Sequence, residues 1–244
     1  TEAYVRAQKG MYSYIQMGQR TGFNPFHLDD NESNRSFLND LVLKITQHGN
    51  DDHSSQDIDQ VSSAINGIYK LPLEQRKLST LFEFIQHEDT ENCLKNRLKN
   101  WVGNGRYAWV FDNDEDTLNL NNRFIGFDCT EFLDDATVGT PILMYLFYRV
   151  DKLKDGTRMV KWLDEGWKLL DDPYFSNAIR NDQKTIRKQN GLNVFATQEP
   201  EDLLSSSVGR TVVTQSPTKI FLPNTDAKRK DYIDGFSLTE REFK

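Results

Sequence analysis

No stretch of this 244-residue chain reads GxxxxGK[ST], and none of its 14 glycines is followed by lysine. A loop that cradles β- and γ-phosphates with backbone N–H groups and a following Lys is therefore missing from the sequence. Cysteine is scarce: Cys93 and Cys129 stand far apart and outside any CxxC spacing, which gives a zinc site no support and fits a reducing cytosolic setting better than a disulfide scaffold. The longest apolar run, "PILMYLFY", falls well short of the roughly 20 residues that span a bilayer. No signal-peptide pattern opens the chain, which begins on Thr1 in what reads as mid-fold; we take it to be a fragment or a processed chain. Positive charge is in deficit, and a net charge of −7 disfavours a surface that binds nucleic acid through bulk electrostatics, though it leaves room for a local basic face. With 7 Pro and 27% charged residues, wholesale disorder is excluded as well.

Aromatic residues are plentiful, and 15 Phe, 9 Tyr and 4 Trp suffice for a core in one large domain or two small ones. The periodicity changes along the chain. Residues 1–30 read as a short strand, "EAYVRA", followed by a turn-rich stretch, "RTGFNPF". Residues 31–102 read as a helical bundle. One apolar stripe is Phe37, Leu38, Leu41, Val42 and Ile45; a second is Ile58, Val61, Ile65, Ile68 and Tyr69. Leu78, Leu81, Phe82 and Ile85 form a third, and Leu94, Leu98 and Trp101 start a fourth. "SSQD" sets Ser54 three residues before Asp57, a capping-box spacing. From "NGRYAWVFDND" onward, short apolar runs alternate with helical patterns: "RFIGFD", a buried helix with Pro141 in its first turn, "RMVKWLDE", a helix from Pro173 to Asn190 closed by Gly191, then "LNVFATQ" and "TKIFLPN". That alternation predicts βαβ units and a mostly parallel sheet. The expected fold is an α/β core formed by residues 1–30 and 103–244, with 31–102 as an inserted all-α subdomain.

Three of these strands finish on polar residues: Asp128, the pair Asp164–Glu165, and Gln198. The carboxyl ends of strands in an open parallel sheet line one crevice where ligands bind, so the four side chains are expected to share a space. An apolar strand ending in Asp-Glu is also the Walker B arrangement. Its Asp holds Mg²⁺, and the next residue, facing the other way along the strand, activates the attacking water. On these residues alone, a strand end whose solvated acids cap the next helix is the competing reading.

"RMVKWLDEGWKLLDDPYF", "TIRKQNGLNVFATQEPEDLLSS", "TKIFLPN" and "YIDGFSLTEREF" together resemble the large ATPases of type IV secretion and conjugative transfer, which are RecA-like hexameric P-loop motors. "YVRAQKGMYSYIQMGQRTGFNPF" and "FIGFDCTEFLDD" followed by "TPILMYLFYRV" are similar to the same family, so the resemblance covers nearly the whole chain. It implies ATP and Mg²⁺ as ligands, with Asp164 as the Mg²⁺-associated acid, Glu165 as the catalytic base, and Gln198 as the polar sensor of the γ-phosphate or lytic water. It further implies that Arg187 and Lys188 in "IRKQN" face nucleotide across a subunit boundary, with Arg210 a second candidate for a trans-acting arginine. By helical spacing alone, Arg180, Lys184, Arg187 and Lys188 would be a solvated basic face. The resemblance also implies a hexamer in the intact protein, other secretion components as partners at the cytoplasmic side of the bacterial inner membrane, and indirect contact with transferred DNA. It places the phosphate-binding loop upstream of Thr1, so this chain alone is expected to be inactive.

Two rival readings stay open at this point: a non-catalytic scaffold module of the secretion machine, and a metal-dependent nuclease built on Asp128, Asp164 and Glu165. A DNA-pumping helicase is a variant within the motor class, and the acidic charge weighs against it. "HGNDDH", with His48 and His53, reads as solvent-facing loop rather than metal site. Cys129 reads as a buried strand-end thiol rather than a nucleophile.

Overall fold

The computed structural model describes residues 2–47, 53–88, 92–132, 135–165, 172–198, 200–205, 207–225 and 227–243. The chain divides into two compact units, Thr1–Val150 and Asp151–Lys244.

The first unit opens with a correction: "EAYVRA" is helix α1 (Glu2–Ala7), not a strand. Glu2 and Arg6 pair at i,i+4 with 2.6 Å between them, and Val5 is the buried side chain of this turn. Local pairing of this kind supports a helix where alternation alone suggested extension. The chain then reverses through Lys9, at φ 57, into β1 (Met11–Tyr14). The helical zone follows as α2 (Glu32–Ile45), α3 (Ser55–Ile68), α4 (Leu78–Phe84) and α5 (Leu94–Leu98).

Two of these helices, α2 and α3, start on side chains that satisfy free backbone N–H groups. The Asn31 side chain accepts from the backbone of Asn34, and Ser54 and Asp57 form the expected reciprocal capping box at 3.0 and 3.2 Å. The stripes meet as anticipated, with Leu38, Val42, Val61, Ile65, Ile68 and Leu81 buried. Ile58, near the start of α3, departs from its stripe and is 45% exposed. Phe82 is half-buried, with the Lys95 ammonium 4.7 Å from its ring centre.

Asp57 has a second partner, Arg97 of α5, at 2.8 Å. Burial alone would raise this carboxyl, but the hydrogen bonds from Arg97 and Ser54 outweigh it and hold the pKa below its usual value. With the folded pKa the lower one, the pairing stabilises above the unfolded value of about 4 and is lost as pH falls through the folded value. Asp57→Asn is therefore expected to lower stability to urea at pH 7 and to make a progressively smaller difference below about pH 4, as read from denaturation midpoints.

The unit continues with α6 (Ala108–Phe111), β2 (Ile125–Asp128) and α7 (Ala136–Asp151). β1 and β2 pair in parallel, with Tyr14 opposite Asp128. α7 begins earlier than the sequence suggests, so Pro141 lies inside it rather than in its first turn. Asp135 makes this possible: its side chain accepts from Thr137 N at 3.0 Å and its carbonyl accepts from Gly139 N at 2.7 Å. α7 packs aromatic residues against the helical zone, with Phe37 stacked on Tyr148 at 3.9 Å and close to Tyr145. Residues 32–101 thus share a core with α7.

A buried polar lattice holds "TGFNPF". Asn24, fully buried, donates to the carbonyls of Arg76 at 2.8 Å and Asn113 at 2.9 Å, while Asp116 accepts from Tyr145 at 2.7 Å and from Arg149.

The second unit contains β3 (Met159–Asp164), α8 (Pro173–Thr185), β4 (Gly191–Ala196), α9 (Pro200–Ser205), α10 (Ser207–Gln215) and α11 (Glu240–Phe243). β3 and β4 pair in parallel with α8 between them in sequence, which is the predicted βαβ unit. Asp172 caps α8 by accepting from Tyr174 N at 2.8 Å. The helix tightens into a 3-10 turn over Ile186–Gln189, and Asn190 adopts the left-handed conformation expected of Gly191, which instead opens β4. "TKIFLPN" is not a strand: Ile220 and Leu222 are 82% and 79% exposed, and no strand is paired with it among the described residues. An extended apolar segment becomes a strand only where a neighbouring edge satisfies its backbone.

Candidate functional site

The pleat of β3 sorts its residues by face. Met159, Lys161 and Leu163 point inward and are half-buried; Val160, Trp162 and Asp164 are exposed. Asp164 lies opposite Ala196, the last residue of β4, and the Glu165 N–H extends the ladder to Ala196 O at 3.1 Å. Gln198 follows two residues later. Asp164, Glu165 and Gln198 are thus brought together at the carboxyl end of one parallel pair.

The two acids differ in surroundings. Asp164 is exposed and has no ion-pair partner among the described residues, whereas Glu165 is half-buried. Glu165 also has φ 52, a left-handed conformation that costs a side-chain-bearing residue about 1–2 kcal/mol. Such outliers persist where surrounding structure over-determines them and concentrate at functional sites.

Asp128 ends a strand of the other sheet. Its carboxylate accepts from Thr130 N at 3.1 Å and Thr130 Oγ1 at 2.6 Å, with Tyr12 Oη at 3.5 Å. The Thr130 hydrogen bonds hold its pKa below the ordinary value. β2 pairs with β1, and Asp128 closes a local turn in the first unit through Thr130. Burial, with Asp128 adding, pushes the Cys129 thiol up to about 12, so it is protonated at neutral pH and a poor nucleophile. His53 contacts Thr46 Oγ1 at 3.1 Å; His48 lies outside the described residues.

Arg187 and Lys188 occupy the opposite end of the βαβ unit. Their turn leads into Gly191, which is opposite Met159, the first residue of β3. Six strand residues separate that end from Asp164 by about 17 Å. Both cations are exposed and without an ion-pair partner among the described residues. Arg210 is exposed on α10.

A buried ionic cluster under the sheet escaped sequence reasoning. Asp182 of α8 accepts from Lys154 at 2.6 Å, from Asn193 at 2.9 Å and from Lys161. The only hint was a lysine inside the apolar run "MVKWL".

As to metal, Asp164 offers a hard oxygen donor suited to Mg²⁺. No group of three or more His, Cys, Asp or Glu able to hold an ion occurs among the described residues.

Residues 3–243 match the family described as "TraG P-loop domain". The chain belongs to that family. The protein "Type IV secretion system protein virB4" of Bartonella quintana is 42% identical over 243 residues, covering 99% of this chain and 31% of that protein. "Type IV secretion system protein PtlC" of Bordetella pertussis is 39% identical over 250 residues, covering 99% of this chain and 30% of that protein. The solved structure of VirB4 of Thermoanaerobacter pseudethanolicus superposes with a TM-score of 0.74 at 19% identity, over 98% of this chain and 71% of that one. The fold is therefore the P-loop NTPase fold, and the resemblance to type IV secretion ATPases holds. The chain spans about a third of the length of the curated relatives it matches. No described helix is long and apolar enough to cross a membrane.

Proposed function

We propose that this chain is part of the ATP-hydrolysing motor of a type IV secretion ATPase, completed in the intact protein by a phosphate-binding loop from sequence outside residues 1–244. The observation that carries this reading is the grouping of Asp164, Glu165 and Gln198 at the carboxyl end of β3 and β4. In this reading Asp164 holds Mg²⁺ that arrives with ATP, and the ion neutralises charge on the phosphate oxygens. Glu165, on its strained backbone, accepts the proton of the attacking water, and Gln198 orients that water against the γ-phosphate. Arg187 and Lys188 cannot reach the same nucleotide across the length of β3, so they serve the site of a neighbouring subunit. There a guanidinium offsets charge spreading over the transferring phosphoryl group, with Arg210 as an auxiliary cation. Such a division of labour requires a homo-oligomer, and a hexamer is the assembly we propose. Residues 31–102 are the inserted helical subdomain. The motor works at the cytoplasmic face of the inner membrane with other secretion components, energising assembly or the transfer of protein or DNA.

The test uses both the chain and its parent. The intact protein is expected to hydrolyse ATP only with Mg²⁺, and the isolated 244-residue chain to release phosphate at the buffer rate. Hydrolysis that persists in EDTA would overturn the reading. Cleavage of DNA by the isolated chain with Mg²⁺ or Mn²⁺ and no nucleotide would replace it with the nuclease. An intact protein that binds secretion components but never turns over ATP would replace it with the scaffold.

A further inference from the structure

The turn carrying Arg187 and Lys188 is closed at its base by a single carboxylate. Asp182, with 10% of its side chain exposed, precedes the turn on α8; Asn193, which follows it on β4, donates to Asp182 Oδ2 at 2.9 Å. Lys161 donates to the same oxygen. Lys161 and Asn193 are register partners across β3 and β4, so one oxygen is fastened to both strands at once. Lys154 holds Oδ1 at 2.6 Å, and Asp151 balances the charge at 2.8 Å from Lys154 and 3.2 Å from Lys161. Burial alone would raise the Asp182 carboxyl, but its hydrogen bonds from Lys154, Lys161 and Asn193 outweigh that and keep it low.

Within the loop so closed, Ile186 is buried, and a Cβ on Gly191 would come within 2.6 Å of it. Asn190, at φ 58, donates to Gly156 O at 3.2 Å. Between Ile186 and Asn190, Arg187, Lys188 and Gln189 are exposed, and neither cation has an ion-pair partner among the described residues.

A buried ion cluster is weak evidence of stabilisation, because well-packed apolar residues of similar volume often do as well or better. What this one adds is direction: charged, hydrogen-bonded groups have few acceptable geometries, and a short closed loop inherits them. We propose that Asp182 is a positioning residue, whose carboxylate fixes the Arg187–Lys188 turn relative to β3 and β4 and so aims its cations at the neighbouring subunit's nucleotide. The proposal rests on the motor reading above.

The experiment measures ATP hydrolysis and thermal melting of the intact protein carrying Asp182→Asn, or Lys161→Met together with Asp182→Leu. The double variant removes the buried charges on the sheet side while leaving Lys154 paired with Asp151. Its melting temperature is expected to stay near the parent's, while kcat falls by about 10–100-fold and KM for ATP changes little, since each subunit's own nucleotide contacts are untouched. Mixing Asp182→Asn subunits with Glu165→Gln subunits is expected to raise turnover above that of either alone, because mixed interfaces pair an intact Glu165 with a well-aimed Arg187. If the double variant melts normally and turns over at the parent rate, the proposal is overturned. Mixtures of Arg187→Ala with Glu165→Gln serve as the control: should these fail to complement, the trans-acting reading itself is wrong; should these complement while the Asp182 mixtures do not, only the role of Asp182 falls.

Discussion

Glu165→Gln in the intact protein is expected to leave ATP bound and to stop its turnover. The substitution keeps size and hydrogen-bonding reach, so the left-handed backbone at φ 52 and the ladder bond to Ala196 persist. What disappears is a group that can take a proton from water. Removing a general base costs about 10²–10⁴-fold in rate. The expected result is kcat reduced by that factor, with Mg·ATP affinity by calorimetry within about a factor of two. Glu165→Asp is a useful companion: it restores a carboxylate but withdraws it by one methylene, and it should recover part of the lost rate. Unchanged steady-state hydrolysis in Glu165→Gln would remove Glu165 from the chemistry and, with it, the assignment of the strand end as a Walker B site.

Arg187→Ala should produce the second large effect, for a reason that topology supplies. The helix that joins two parallel strands must return the chain to the start of the second strand. Everything on the α8–β4 turn therefore lies at the amino end of the sheet, while Asp164, Glu165 and Gln198 lie at the carboxyl end. No arginine side chain spans that length. If Arg187 touches a transferring phosphate, the phosphate belongs to another subunit. An arginine finger of this kind is worth about 10³–10⁵-fold in turnover, and loss of that order is expected in Arg187→Ala with melting temperature unchanged, since the side chain is exposed and has no ion-pair partner among the described residues. Arg187→Lys should restore little, because an ammonium lacks the planar fork that engages two phosphate oxygens. Co-assembly of Arg187→Ala and Glu165→Gln subunits should return part of the activity. Parent-like turnover in Arg187→Ala would reassign the trans role to Arg210 or Lys188.

The helical zone shows how much local pattern can settle. Ser54 and Asp57 formed the capping box that their spacing announces, and Leu38, Val42, Val61, Ile65 and Leu81 were buried as their stripes required. Both are short-range effects: a cap depends on residues three apart, and a stripe on the helical repeat. Parallel pairing was legible for β2, β3 and β4 from alternation with helices, and the Asp-Glu tip ends β3 opposite Ala196, two residues before Gln198. "EAYVRA" and "TKIFLPN" were misread because a short apolar run carries little periodicity. The first is a helix that carries an exposed Glu2–Arg6 pair, and the second has no paired edge among the described residues. Pro141 was placed too early because Asp135, not proline, starts α7.

By itself the sequence determined the class of the fold, its helical stripes, and that Asp128 and Asp164 end their strands, because those properties follow from neighbours within a few positions. The tertiary structure alone decided that Asp128 belongs to a different sheet from Asp164, that Arg187 sits at the far end of the strands from Glu165, and that Lys154, Lys161, Asp182 and Asn193 converge on one carboxylate. Strand pairing and buried ion contacts join residues that chain order separates, and no local pattern records which partners meet.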